Sequence, residues 1–217
     1  MNSATVFAPS PTLTVTIESH PSGDDVHLHA GGQGVWQARM LTLLGVDVTL
    51  CALLSGESGL VIRTLLEREG ITIDAIERGD RGSAYIHDRR DGERRTIAEQ
   101  RATTPGRHEM DELYSLALSR GIDTGLVVLS GPPHDEIPVE IYHRLASDLR
   151  RGGATVVVDL AGERLDAALR GGVSVLKLSD EELAADEGDG STADLAERMS
   201  ELRSRGAETV ILTRASQ

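Results

Sequence analysis

Leu126–Ser130 reads LVVLS, and Thr155–Leu160 reads TVVVDL. Both runs are short, rich in β-branched residues and almost continuously apolar, as strands are when a parallel sheet is covered on both faces. Working outward, the same signature returns in Val46–Leu54 (VDVTLCALL), Val173–Leu178 (VSVLKL) and Thr209–Thr213 (TVILT). Helical stretches separate the runs. Val139–Arg151 places Ile141, Leu145 and Leu149 on one stripe. Thr192–Arg205 does the same with Leu195, Met199 and Leu202, after a Ser191/Thr192 cap and before a Gly206 stop. Val35–Leu44 and Leu60–Glu69 read as two further helices, closed by Gly45 and Gly70. This alternation predicts an α/β fold, a doubly wound sheet flanked by helices, with residues 1–217 forming one domain.

Two regions depart from the pattern. Thr12–Glu18 (TLTVTIE) and Asp25–His29 (DVHLH) alternate apolar and polar residues, as half-exposed strands do. Ser83–Ile97 holds two more such runs around Asp91-Gly92, a type I′ hairpin signal. These strands, about 12–29 and 83–100, predict a small antiparallel β lid over the strand ends, where it would close a site from water. The chain ends at Gln217, just after the strand Thr209–Thr213, where a doubly wound fold places a covering helix, and is therefore expected to be an N-terminal portion.

Composition narrows the partners. Twenty-two basic residues against thirty-five acidic ones leave a net charge of −13. That argues against a nucleic-acid-binding protein, which shows a basic face, and against an anionic membrane surface as partner. Phosphates would instead be held by backbone N–H groups, helix N-termini and a few local cations. Aromatic residues, at 2%, are too few for base-stacking platforms. The single cysteine, Cys51, rules out a disulfide scaffold and fits a reducing, cytoplasmic setting. Met1–Ser10 lacks the basic and apolar segments of a signal peptide, and no run reaches the roughly 20 apolar residues of a membrane span.

Ala30-Gly31-Gly32-Gln33-Gly34 joins an exposed strand to a helix. Its glycines let backbone approach a ligand, and the helix N-terminus favours an anion; a tight strand-to-helix turn would use the same residues. Gln37 stands where a dinucleotide fingerprint needs its third small residue, and no Gly-Lys-Ser/Thr follows for a Walker loop. His27 and His29 share a strand face but have no third ligand at metal spacing. Cys51 lies in an apolar run without a histidine partner, as a core cysteine does. Asp180-Glu181-Glu182 suits either a divalent cation or the acidic first turn of a helix. Arg89-Arg90 and Arg94-Arg95 flank the lid turn, as a phosphate clamp or as charges that keep a flap soluble.

The order of these motifs resembles the ribokinase (PfkB) family of carbohydrate kinases, within it the 1-phosphofructokinase and tagatose-6-phosphate kinase branch, from about residue 5 to the last. Gly31-Gly32-Gln33-Gly34, with Trp36 and Ala38-Arg39, is similar to the family's Gly-Gly-Lys-Gly-x-Asn-x-Ala-Arg sugar-contact segment. Gly56–Gly59 resembles the loop after the next strand, and Glu99 the point where the lid returns to the body. Ser130-Gly131 with Pro138 and Tyr142 resembles Ser-Gly-x-x-Pro, and Asp159–Gly162 resembles Asp-x-Ser-Gly. Lys177–Leu183 resembles Lys-Pro-Asn-x-x-Glu-Leu, and Thr213-Arg214-Ala215 is similar to the start of the family's nucleotide-contacting strand and loop.

The resemblance implies a ribokinase-like fold, ATP and Mg²⁺ as cofactors, phosphoryl transfer to a hydroxyl of a sugar or sugar phosphate, and a possible homodimer through the lid. It implies sugar contacts at Thr14, Gly31, Gly32, Gln33, Gly34, Trp36, Arg39, Arg81, Glu99, Ser130 and Asp159. Nucleotide contacts fall on Lys177, Ser179, Thr213 and Arg214, and the metal on Glu182. Several family residues are replaced. Thr14 stands for a sugar-gripping Asp, Gln33 for Lys, Trp36 for Asn, Gly82 for a lid Arg beside Arg81, and Ser179 for Asn. The family's Gly-Ala-Gly-Asp segment, which carries the base, does not occur in these residues and is expected beyond Gln217. A non-catalytic sugar- or metabolite-binding protein on the same scaffold is the alternative.

Overall fold

A computed structural model of the chain describes residues 2–180, 182 and 192–214. Ser191 of the expected cap, and Glu181, Leu183 and Ala215 of the motifs, lie outside the described residues. Seven parallel strands form the body: β1 (Ser3–Phe7), β4 (Asp47–Ser55), β5 (Thr72–Arg78), β8 (Leu126–Ser130), β9 (Thr155–Asp159), β10 (Val173–Ser179) and β11 (Ala207–Thr213). Their order across the sheet is β11-β10-β9-β8-β1-β4-β5.

Helices cover both faces, so the central strands are apolar on both sides. On one face α1 (Gln33–Leu43) and α2 (Gly56–Arg68) pack Val35, Ala38, Ile62 and Leu66 against Val6, Val48 and Leu50. On the other, α3 (Arg107–Thr124), α4 (Glu140–Arg151), α5 (Gly162–Gly171) and α6 (Thr192–Ser204) bury a larger core around Phe7, Leu129, Leu145 and Leu176. Tyr142 of α4 is fully buried, meets Phe7 edge-on at 5.8 Å, and donates its hydroxyl to the carbonyl of Ser130 at 3.1 Å. The outer strand β11 leaves Thr209, Ile211 and Thr213 exposed on the face opposite that core.

The lid is a separate four-stranded sheet of β2 (Thr12–His20), β3 (Gly23–Gly31), β6 (Ser83–Asp88) and β7 (Arg95–Gln100), in the order β3-β2-β6-β7. Its two hairpins are antiparallel, and they join through a parallel β2–β6 pairing, so the sheet is mixed. Asp91-Gly92 does not make a two-residue type I′ turn. A six-residue connection, 89–94, links β6 to β7 after a register shift at Ile86/His87. The reason is Asp88, which accepts from both the backbone N–H and the guanidinium of Arg90 and pairs with Arg95 at 3.2 Å, holding the loop open. Gly56–Gly59 is likewise not a loop but the first turn of α2, entered directly from β4. Gly82 allows this close packing: a Cβ there would sit 2.6 Å from the Ser55 carbonyl.

Candidate functional site

The strand order fixes where a site can form. From β1 the chain winds outward through β4 and β5, then returns to β8 on the other side of β1 and continues through β9 to β11. The topological switch point therefore lies between β1 and β8, and such points open a crevice at the carboxyl ends of the strands. The glycine loop lands on it. Gly34, in the first turn of α1, stands so close to the sheet that a Cβ would lie 2.5 Å from Ala8 Cβ and 3.2 Å from Ser130 Cβ. Gly32 adopts φ 102° and ψ 150°, a region essentially restricted to glycine.

Above this loop, the polar face of the lid encloses a cleft of about 360 Å³. Strand alternation sends Thr12, Thr14 and Thr16 of β2 to one face, beside His29 of β3 and Tyr85 and His87 of β6. Gly31, Gly32 and Trp36 close the body side. Gly31 is pressed against β2, its Cβ position 3.0 Å from Thr14 Oγ1. Tyr85 and Glu99 meet His134, from the loop after β8, at 3.0 and 2.8 Å. Burial and the Glu99 charge push the Tyr85 phenol up from its ordinary value. Arg164 of α5 holds the loop carrying His134, donating to the carbonyls of Pro132 and His134 and to Asp135.

Beneath the cleft, a polar chain crosses the strand ends. Ser130 Oγ donates to Gln37 Oε1, Gln37 Nε2 donates to Asp159 Oδ2 at 3.0 Å, and Lys177 Nζ lies 3.4 Å from Asp159 Oδ1. Next along the sheet, Ser179 pairs in register with Thr213, whose hydroxyl donates to the Leu178 carbonyl. Arg214 lies 3.8 Å from Asp180. Glu182 accepts the backbone N–H and hydroxyl of Ser179 on Oε2.

Thus Thr14, Gly31, Gly32 and Trp36 line one cleft. Gln33 and Gly34 continue the same loop, and Ser130 and Asp159 do not line the cleft but hold Gln37 behind that loop. Lys177, Ser179, Thr213, Arg214 and Glu182 gather at the ends of β10 and β11. Two residues stand apart. Arg39 turns away to form a two-pronged pair with Glu69, Nη2 to Oε1 at 2.8 Å, and stacks on Trp36 at 4.6 Å. Arg81 is exposed and has no ion pair among the described residues. Gln37, His134, Tyr85 and Arg164 were not marked by sequence reasoning. Gln37, one turn into the helix behind the glycine loop, is the one a spacing argument could have found. His27 and His29 stack at 6.1 Å, and no cluster of three metal-ligating side chains occurs among the described residues. Cys51 is buried in β4, and desolvation pushes its thiol up to about 12.

Comparison with known proteins agrees with this geometry. The pfkB family carbohydrate kinase profile matches residues 7–217. A 1-phosphofructokinase of Haloferax volcanii is 32% identical over 192 residues, covering 87% of this chain and 60% of that protein. The ATP-dependent 6-phosphofructokinase isozyme 2 of Escherichia coli is 28% identical over 192 residues, covering 82% and 60%. The chain thus spans 60% of the length of these curated relatives. Among solved structures, Escherichia coli phosphofructokinase-2 in complex with fructose-6-phosphate superposes with a TM-score of 0.85 at 24% identity, over 100% of this chain and 75% of that one. Its tetrameric inhibited form gives 0.82 at 22% identity, over 99% and 74%. These structural likenesses establish the fold, and the profile match establishes the lineage: the chain belongs to the pfkB family of carbohydrate kinases.

Proposed function

We propose that this chain forms the acceptor-binding lid and much of the nucleotide-binding edge of an ATP-dependent carbohydrate kinase. The reaction transfers the γ-phosphoryl group to a hydroxyl of a sugar or sugar phosphate. The observation that carries the reading is the glycine loop docked at the β1/β8 switch point beneath a polar lid face. In phosphoryl transfer the protein's work is positioning and charge stabilisation. Thr14, Tyr85 and His29 offer hydrogen bonds to acceptor hydroxyls. Gly31 and Gly32 admit the acceptor to within backbone distance. Ser130, Gln37 and Asp159 fix the loop beneath it.

Lys177, Ser179, Thr213 and Arg214 are assigned to the nucleotide. Glu182 uses one carboxylate oxygen on Ser179, which leaves the other for a cation. One carboxylate plus waters and nucleotide phosphates suits Mg²⁺, which keeps most of its hydration. Bound there, the ion would neutralise phosphate charge. The base that accepts the hydroxyl proton belongs to the family's Gly-Ala-Gly-Asp segment. A cytoplasmic setting and a homodimer through the lid complete the proposal. The lid's outer face supports the dimer: Val26 and Leu28, opposite Ile17 and Val15 in register, are 54% and 45% exposed.

ATP turnover by the full gene product across a panel of sugars and sugar phosphates tests the reading. Turnover with at least one acceptor is expected. A second reading, a non-catalytic sugar- or metabolite-binding or regulatory protein, draws support from the cleft itself: Thr14 and Trp36 stand where the family has Asp and Asn. No turnover, together with saturable thermal stabilisation by a sugar, would select it.

A further inference from the structure

The connection between β6 and β7 and the first residue of β7 carry four arginines, and three are committed to carboxylates. Arg89 lies 3.5 Å from Glu18; Arg90 binds Asp88 and Asp24 at 2.8 and 3.0 Å; Arg95 lies 3.2 Å from Asp88. Arg94 differs. It has no carboxylate partner among the described residues, and its Nη2 donates to His87 Nε2 at 2.7 Å. A guanidinium only donates, so His87 Nε2 must be unprotonated. The ring proton then sits on Nδ1 and is donated to Thr96 Oγ1 at 3.1 Å. His87 is 3% exposed, and burial followed by the Arg94 charge holds its pKa below the ordinary value. A neutral imidazole thus aims a guanidinium that has no ion pair among the described residues, and both residues line the cleft, as do Arg89 and the Glu18 it pairs with.

Register gives their place. Gly31 pairs with Thr12, and His87 pairs with Thr16. Four residues of strand span about 13 Å. The glycine loop and Arg94 therefore mark opposite ends of the threonine row, a separation suited to an extended acceptor with an anionic group at its far end.

We propose that Arg94, positioned by His87, is the anion seat of the cleft, receiving a phosphate or comparable anionic group at the end remote from the glycine loop. As a sugar-phosphate seat, this rests on the kinase reading above; as an anion seat, it stands on the geometry alone. Two probes separate these levels. Inorganic phosphate should raise the Tm of the wild-type chain saturably. Arg94→Gln should abolish that rise, whereas Arg95→Gln should retain it. In calorimetry, Arg94→Gln should weaken fructose 6-phosphate binding about tenfold or more while leaving fructose unchanged. His87→Gln, which keeps an acceptor for Arg94, should preserve affinity, and His87→Leu should lose it. Phosphate binding that depends on Arg94, with no binding of any sugar phosphate, would uphold the anion seat and overturn its assignment to a sugar phosphate. Equal behaviour of Arg94→Gln and Arg95→Gln toward phosphate would overturn the seat, whatever the sugars do.

Discussion

Gly34→Ala tests whether the glycine loop is held by contact with the sheet or merely by a tight turn. The added methyl would lie 2.5 Å from Ala8 Cβ, and ordinary contact begins near 3.4 Å, so α1 must retreat by about 1 Å from β1 and β8. Overpacking of this kind costs about 1–3 kcal/mol. At about 2–4 °C per kcal/mol for a chain of this size, the expected fall in Tm is about 2–12 °C. The same retreat lengthens the Gln37 contacts to Ser130 and Asp159, so acceptor binding should weaken as well. Ala8 supplies the obstructing carbon, so Ala8→Gly in the same chain should recover most of the loss, because the remaining approaches, 3.2 Å to Ala8 Cα and Ser130 Cβ, need only tenths of an ångström. A double-mutant cycle by chemical denaturation reads the coupling, expected to exceed about 1 kcal/mol. Additive effects, or a Gly34→Ala protein with unchanged Tm, would refute the contact argument.

Gly32→Val needs no such contact, because nothing lies within 3.7 Å of its Cβ position. It should instead cost about 1–3 kcal/mol of backbone strain and block acceptor binding; unchanged affinity by calorimetry would count against the loop's role. Cys51, with its thiol pushed up to about 12, should resist alkylation at pH 8 until the sheet unfolds, and mass spectrometry of iodoacetamide-treated native protein should find it unmodified. Asp88 is held below the usual carboxylate range first by its hydrogen bonds from Arg90, so its contribution is present above about pH 4 and falls away as pH drops below that. Asp88→Asn should therefore loosen the 89–94 connection at neutral pH, seen by amide hydrogen exchange, and the difference from wild type should shrink in acid. Glu182→Gln should raise the Mg²⁺ concentration needed for half-maximal turnover of the full gene product without changing sugar affinity, and a normal Mg²⁺ titration would remove Glu182 from the metal's partners.

The parts of the fold legible in the sequence are those where burial on both faces leaves an uninterrupted apolar run. LVVLS over Leu126–Ser130 is a central strand and needs no other signal. The strand at the switch point itself, β1, was not legible: it opens with Ser3 and Ala4 at the chain end, too short a run to stand out. Strand β5 carries Asp74 and Glu77 because it lies on the sheet's edge, and those charges break its pattern. Helix α3 runs unbroken through Gly121, whose Cβ position lies 2.5 Å from Leu149 and 2.7 Å from Val127; close packing there demands a residue that weakens the helical signal in the sequence. The site divides the same way. Residues in a contiguous motif, such as Gly31–Gly34, could be read. His134 and Tyr85, which meet where the lid touches the loop after β8, and Arg164, which holds that loop, depend on approaches between distant segments that no spacing records.

Asp159 shows what the assembled site adds to its parts. One oxygen binds Gln37, behind the glycine loop, and the other faces Lys177, on the strand whose end gathers Ser179 and Glu182. The carboxylate is largely buried, with a side-chain exposure of 16%, so neither partner can leave without uncovering a charge that water does not reach well. Displacing Lys177 toward a nucleotide would leave Gln37 as the main hydrogen-bond partner of Asp159, tightening its hold on the loop. Asp159→Asn should therefore do more than weaken either half. It should make acceptor affinity independent of nucleotide, whereas in the wild-type full gene product ATP should strengthen acceptor binding. Calorimetric titration of acceptor with and without a non-hydrolysable ATP analogue measures that coupling directly. Identical acceptor affinities in the wild type under both conditions would show that this shared carboxylate is scaffold and not a link.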